Sequence, residues 1–260
     1  MSSSSAGLAG TIAYLNFAWF DQYNNGKFHF FDDNREWKQM DKCGHAYSCY
    51  QTGRLMMEAF EWAGYSKKKK LWLGGGMGLY FMTVMELMDG FSSGWGFSWG
   101  DMGANVLGAS AAVSQKAVWN DQRVLLKFSY AQSGLAKYNP DLLGKLWYTQ
   151  ILKDYNGQTY WASINIHSFL KKKHKFPKWL NVAIGYSAYG MLYARGDESV
   201  FQGNDGNFYK YDVSRRYYLS MDVDLARIKT KSKFLKTLFT LFNVVKIPAP
   251  ALEFSKGKWR

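Results

Sequence analysis

Three short stretches set charged and polar side chains among small and apolar residues: Asp41-Lys42-Cys43-Gly44-His45, Glu86-Leu87-Met88-Asp89-Gly90 and Asp101-Met102-Gly103-Ala104-Asn105. Segments of this composition tend to bury themselves, and a charge buried without a partner is strongly unfavourable. The carboxylates and the imidazole must therefore meet partners, either as a structural polar core or as a site. Any fold for this chain has to satisfy that demand.

The spacing within these stretches predicts helices. Asp41 and His45, and likewise Asp101 and Asn105, stand four residues apart, so each pair shares one helix face. Helices are expected over 41–63, 71–88 and 101–120, after a first candidate over the apolar run 6–20. Asp41 and Asp101 are expected as N-caps, Gly64 sits where a C-cap glycine belongs, and the second segment ends at Asp89-Gly90. His45, Ser48, Cys49 and Thr52 line one small, polar face. Gly74, Gly75, Gly76 and Gly78 are costly in a helix unless they let two backbones approach closely. A Walker phosphate loop is excluded, because no Gly-Lys-Ser/Thr follows them.

Beyond residue 121 the period changes from helical to two. Strands are expected over 123–130, 159–170, 180–192 and 217–225, with a short helix near 142–152 and an edge-like strand over 251–259. Residues 232–245 read as an amphipathic helix, with Phe234, Leu235, Leu238, Leu241 and Phe242 as its apolar face. Residues 196–212 read as a long polar loop. Its Gly203-Asn204-Asp205-Gly206-Asn207 run lacks the spacing and closing Glu of an EF-hand. The fold class that follows is α+β: a Gly/Ala-rich helical bundle over 1–120, then an antiparallel, partly barrel-like sheet over 121–260, the two forming one integrated unit. A closed membrane barrel needs about eight strands, more than these segments supply.

Composition bears on location. Aromatic residues make up 18% of the chain, yet the mean hydropathy is −0.32. Trp and Tyr collect where one end of a ring is wet and the other apolar, so a protein seated at a membrane fits both numbers. Residues 171–260 hold 18 Lys and Arg against 7 Asp and Glu, which accounts for most of the net charge of +13. That end is expected to face anionic lipid, lipopolysaccharide or an acidic partner. Nucleic acid is disfavoured, since no zinc-finger, helix-turn-helix or RNP-like pattern accompanies the charge. The run 6–20 is short for a membrane span and has no preceding Lys or Arg, so it reads as a buried helix rather than a secretory signal. Cys43 and Cys49 would lie about 9 Å apart along one helix, beyond disulfide reach.

The strings over 41–45, 86–92 and 98–105 resemble the YfiM-like family of predicted periplasmic lipoproteins, in the longer form found in Bacteroidota. Lys153-Asp154-Tyr155-Asn156-Gly157-Gln158-Thr159-Tyr160-Trp161 and residues 176–182 also fit that branch. A weaker similarity links the Asp-Lys-x-x-His, Glu and Asp-x-x-x-Asn pattern to VanZ-like membrane proteins. The resemblance implies a Gram-negative envelope location, at the outer membrane or in the periplasm and membrane-associated. It brings no established activity, and this chain lacks a lipobox cysteine.

Asp41, His45, Glu86, Asp101 and Asn105 form the candidate cluster. A carboxylate-oriented His beside a second carboxylate suits general acid/base work. It also suits a mixed nitrogen and oxygen metal site, with Cys49 as at most an extra ligand. The structural alternative is an inter-helix hydrogen-bond network. His29, His167 and His174 are expected to be exposed, no Gly-x-Ser-x-Gly elbow is present, and the chain does not identify a cofactor. Two functions follow. The first is a non-catalytic scaffold or accessory subunit of an outer-membrane assembly, whose partners are other envelope proteins. The alternative is an enzyme acting on a lipid or cell-wall phosphate-bearing substrate through His45, Glu86 and Asp101.

Overall fold

A computed structural model describes residues 27–170, 175–202 and 206–260. The candidate helix over 6–20, His174 and residues 203–205 of the Asp/Asn/Gly run lie outside the described residues.

The helical layer is built around α1, Met40–Trp62, which packs against α2, Lys67–Gly90, and α3, Trp99–Trp119. Small residues set the closeness of that packing. A Cβ on Gly78 would stand 2.1 Å from the Cys49 carbonyl oxygen, and one on Gly108 would stand 2.2 Å from the Ala46 carbonyl oxygen. No larger side chain fits at either crossing, which is the use expected of the glycine run. Its upstream end is wound as a π-helical turn, Lys70–Gly74.

Both expected aspartate caps are corrected. α1 opens at Met40, after Lys38 and Gln39 take left-handed conformations (φ 51° and 62°). α3 opens at Trp99, where the Ser98 hydroxyl accepts from the Asp101 N–H at 3.2 Å. Asp41 and Asp101 each fall within a first turn, so their carboxylates are not used as backbone caps. A carboxylate in a first turn still gains from the helix dipole.

The sheet is antiparallel and six-stranded. Its order is β1 Val124–Tyr130, β2 Gln158–Ile164, β3 Leu180–Tyr189, β6 Ser214–Val223, β7 Ala251–Ser255, β8 Lys258–Trp259. Between β1 and β2 lie two short helices, α4 Pro140–Leu143 and α5 Trp147–Lys153. Between β6 and β7 lies α6, Lys233–Phe242. The sheet curls without closing into a barrel: residues 244–246 lie along the outer edge of β1 (Phe128 N–H to Val244 C=O, 3.1 Å; Lys246 N–H to Phe128 C=O, 2.9 Å), and the chain then continues into β7 beside β6.

The stretch 196–212 is not a loop. It forms a separate hairpin, β4 Glu198–Gln202 with β5 Phe208–Asp212. Its aromatic residues stack on a distant segment: Phe201 lies 3.8 Å, centroid to centroid, from Tyr138. The polar turn residues dilute the alternation in the sequence, and the partner ring is about 60 positions away.

The faces of the main sheet are inverted relative to an ordinary soluble sheet. The buried face carries Lys127, Ser163, Asn181, Ser220 and Asp222 among Leu125, Trp161 and Ala183. Lys127 Nζ contacts Asp222 Oδ2 at 2.8 Å with neither side chain exposed. The Ser163 hydroxyl donates to the same oxygen at 2.6 Å, and Asn181 Nδ2 donates to Ser163 Oγ at 2.9 Å. The Ile247 N–H donates to Asp222 Oδ1 at 3.2 Å, so the chain leading into β7 helps seal this network. The opposite face carries Tyr160, Ala162, Ile164, Val182, Ile184, Tyr217, Leu219 and Met221, paired in register. α1 covers its β1–β2 end. The Tyr50 hydroxyl donates to the Val124 carbonyl at 3.0 Å, and Tyr47 packs on Phe128 and Tyr160. Toward β3 and β6 the apolar face is open, with Met221 53% exposed.

Candidate functional site

The site forms where the starts of α1 and α3 and the end of α2 converge. Ser98, at the head of α3, ties two of these parts together. Its N–H donates to Glu86 Oε1 in a short hydrogen bond, and its hydroxyl donates to Asp33 Oδ1 at 2.6 Å. Asp33 belongs to the segment before α1, which is pinned to the loop 91–98 by the Phe31 N–H to Phe97 C=O bond (2.9 Å) and the Phe97 N–H to His29 C=O bond (3.0 Å).

All five residues expected from the sequence come together. His45 Nε2 lies 3.9 Å from Asp41 Oδ2, one helical turn back. On the other side of the ring, Nδ1 lies 3.2 Å from Asn105 Oδ1 and 3.9 Å from Glu86 Oε2. A proton on this nitrogen would be accepted by Asn105 Oδ1, with Nε2 turned to the side of Asp41. Asp41 Oδ1 accepts from the Tyr155 hydroxyl at 2.6 Å. One donor atom each from Asp41, His45 and Asp101 falls within 4.8 Å of the others.

The structure adds residues that spacing did not reveal. Lys42 Nζ bridges Asp33 Oδ1 (2.7 Å) and Asp101 Oδ1 (2.9 Å). Asp89, read from the sequence as a helix end, lines the same cavity as Asp41, His45, Ser48, Phe81, Asp101 and Tyr155. That cavity has a volume of about 260 Å³. Tyr155 and Asp33 carry no helical spacing relative to His45, so no sequence period marks them. A larger cleft of about 350 Å³ lies far from this chemistry, near Lys210, Arg216 and Lys256. There, Lys256 is paired with Asp212, Lys210 with Glu198 and Arg216 with Glu253.

Burial and mutual repulsion govern the protons in the cluster. Burial pushes the Glu86 carboxyl up to about 7, against the opposing pull of the Ser98 N–H and of His45. Burial, with the charges of Glu86, Asp41 and Asp33, pushes Asp89 up to about 8. Asp33 and Asp101 share a hydrogen bond: burial and the Asp41 charge raise Asp101, while the bonds from Asp101, Lys42 and Ser98 outweigh burial at Asp33 and hold it low. Cys43 and Cys49 are free, and burial raises both thiols to about 11. Cys49 packs with Met82 and Ala109 between helices rather than facing the imidazole, which removes it as an extra ligand. Of the remaining histidines, His29 is exposed as expected, whereas His167 is half-buried in a short 3-10 turn.

Residues 29–117 match the model of a family described as a predicted periplasmic lipoprotein (DUF2279). The matched segment is the helical unit, from the Asp33 segment through α3, and it contains every cluster residue except Tyr155. It spans less than half of the chain, and the sheet lies outside it. The description agrees with the envelope location expected from the sequence, in the periplasm or associated with the outer membrane. No curated protein and no solved structure matches the chain.

Proposed function

We propose that the chain is a non-catalytic cell-envelope protein, seated at a membrane and serving as a scaffold or accessory subunit of an outer-membrane-associated assembly. The observation that carries this reading is the inverted sheet. A soluble sheet buries its apolar face, because removing apolar surface from water drives folding. Here the buried face holds Lys127, Asp222, Ser163 and Asn181 beside Leu125, Trp161 and Ala183, while Ile184, Leu219, Met221 and Leu252 are exposed. That pattern, polar within and apolar without, is the one that lipid-facing strands adopt.

Two further features support it. α6 leaves Phe234, Leu235, Leu241 and Phe242 exposed, with Phe234 71% accessible, and Lys229, Lys231, Lys233 and Lys236 are exposed around them. An apolar helix face rimmed by lysines is suited to lie in an interface with anionic headgroups, whether phospholipid or lipopolysaccharide. Lys67–Gly90 is long and apolar enough to cross a membrane by length and composition. Glu86 and Asp89 in its last turn take part in the buried carboxylate cluster, so we read it as a packed helix of the bundle. The finer likeness to the longer Bacteroidota branch of the YfiM-like family, and the weaker one to VanZ-like proteins, belong with this reading.

The test is extraction of the native protein in mild detergent, followed by cross-linking and mass spectrometry. Stoichiometric envelope partners are expected. A solitary protein released from membranes by salt alone would overturn the proposal.

A second reading, an enzyme acting on a lipid or cell-wall phosphate-bearing substrate, is favoured by one observation. His45 stands between Asp41 and Glu86 at a cavity, the arrangement of a general acid/base pair. A folded His45→Ala protein that leaves envelope lipid and cell-wall phosphate profiles unchanged would eliminate it.

A further inference from the structure

We infer that Asp41, His45 and Asp101 are the ligands of a single divalent transition-metal ion, with Asn105 and Glu86 as positioning residues behind the imidazole. The inference does not depend on whether the protein is a scaffold or an enzyme.

The donor set comes first. One atom each from two carboxylates and one imidazole lies within 4.8 Å of the others, and His45 Nε2 is 3.9 Å from Asp41 Oδ2. Ligands bound at about 2.1 Å from an ion stand roughly 3–3.5 Å apart, so a contraction of about 1 Å closes the set. Imidazole nitrogen favours zinc, iron, nickel or copper, and carboxylate oxygen favours harder ions. Zn²⁺ and Mn²⁺ span that overlap.

The imidazole is held for the task. Its Nδ1 lies 3.2 Å from Asn105 Oδ1, in a side chain with no exposed surface. With the ring proton on Nδ1, the Nε2 lone pair is free on the side of Asp41. Metal-binding histidines are oriented in this way, by a hydrogen bond from the other ring nitrogen to a carbonyl or carboxylate.

Glu86 supplies an independent sign. Its Oε2 is buried, has no hydrogen-bond partner among the described residues and faces the same Nδ1 at 3.9 Å, in a side chain 1% exposed. A carboxylate oxygen left so is unfavourable unless positive charge lies near it. A cation on Nε2 polarises the ring and strengthens the attraction of Nδ1–H for that oxygen. The ion pairs agree. Lys42 is already engaged with Asp33 and Asp101, and among the described residues Asp41 has no Lys or Arg partner, its one ion-pair contact being the imidazole. The adjoining cavity leaves room for water or a further ligand on the ion.

The full chain in mild detergent, stripped with a chelator, would be titrated separately with Zn²⁺ and Mn²⁺ by calorimetry, with Mn²⁺ also followed by electron paramagnetic resonance. One ion per chain is expected for at least one of the two metals. Asp101→Asn and His45→Ala should each weaken binding at least 100-fold, and Glu86→Gln by about 10- to 100-fold. The double variant Cys43→Ala/Cys49→Ala should bind as the parent does. Should His45→Ala fail to fold, Glu86→Gln and the parent Mn²⁺ spectrum, which reports nitrogen coordination, carry the test. No binding at millimolar metal, or binding unchanged in Asp101→Asn and Glu86→Gln, would overturn the assignment.

Discussion

Lys127 and Asp222 form a charge pair with neither side chain exposed, at the centre of a polar layer where an apolar one is usual. Such a pair adds little net stability, but loss of one partner strands the other. Lys127→Met should therefore destabilise the fold by about 3–5 kcal/mol, and Lys127→Met combined with Asp222→Leu should recover only part of that, since the Ser163 hydroxyl and the Ile247 N–H lose their acceptor, as read by chemical denaturation. Two carboxyls of the site cluster, Glu86 and Asp89, behave differently, because they are raised by burial rather than paired with a cation. Glu86 and Asp89 hold protons in the folded protein up to about 7 and 8, whereas the unfolded chain releases them near the ordinary carboxylate values. Their contribution is thus complete below about pH 4 and is lost as the pH rises through 7 and 8. In the presence of a chelator, the melting temperature should fall from about pH 4 to about pH 8, and Glu86→Gln should flatten that slope below about pH 7. A profile equally steep in the variant would contradict the assignment. At this scale the candidate site was partly legible. The i, i+4 spacing of Asp41 with His45 and of Asp101 with Asn105 is a local property, visible in the chain. Asp33, Lys42 as a bridge and Tyr155 were not, because they join through contacts between elements, with Tyr155 114 positions from its partner Asp41.

Among the elements, the helix crossings depend on glycine in two distinct ways. Gly78 meets the Cys49 carbonyl, whereas a Cβ on Gly76 in the same helix would meet nothing within 4 Å. Gly78→Ala should cost about 1–3 kcal/mol through overpacking, and Gly76→Ala should stabilise by up to about 1 kcal/mol through helix propensity. Thermal melts of the two variants would distinguish packing from propensity, and equal shifts would refute the crossing. The glycine run announced close packing, but not which of its members makes the contact. The strands were legible where alternation is clean, as in β3 and β6. The β4–β5 hairpin was not, since its aromatic residues are interrupted in the sequence by a polar run and pack on Tyr138, in another part of the chain.

The molecule as a whole leaves two apolar surfaces open, the face of β3–β6–β7 and the outer face of α6, and the proposed membrane seating would set both against lipid. Flotation with vesicles containing anionic lipid should carry the protein, and should be weaker with purely zwitterionic vesicles or at high salt. Phe234→Asp with Phe242→Asp, or Ile184→Lys with Met221→Lys, should each reduce flotation at least tenfold while leaving the melting transition in place. These side chains are exposed, so their replacement does not open the core. Unchanged flotation in both double variants would remove the membrane from the account.

The sequence by itself determined the α+β class, the order of helices before strands, the helical spacing of the cluster and the basic bias of the last third. Each of these is a property of neighbours along the chain, where backbone periods of 3.6 and 2 act. Only the tertiary structure decided which sheet face is buried, which glycine lets two helices touch, and how Asp33, Lys42, Asp89 and Tyr155 surround His45. Alternation in a strand separates two faces but does not say which is covered. Burial, carboxylate repulsion and the distance between donor atoms exist only once segments far apart in sequence have packed together.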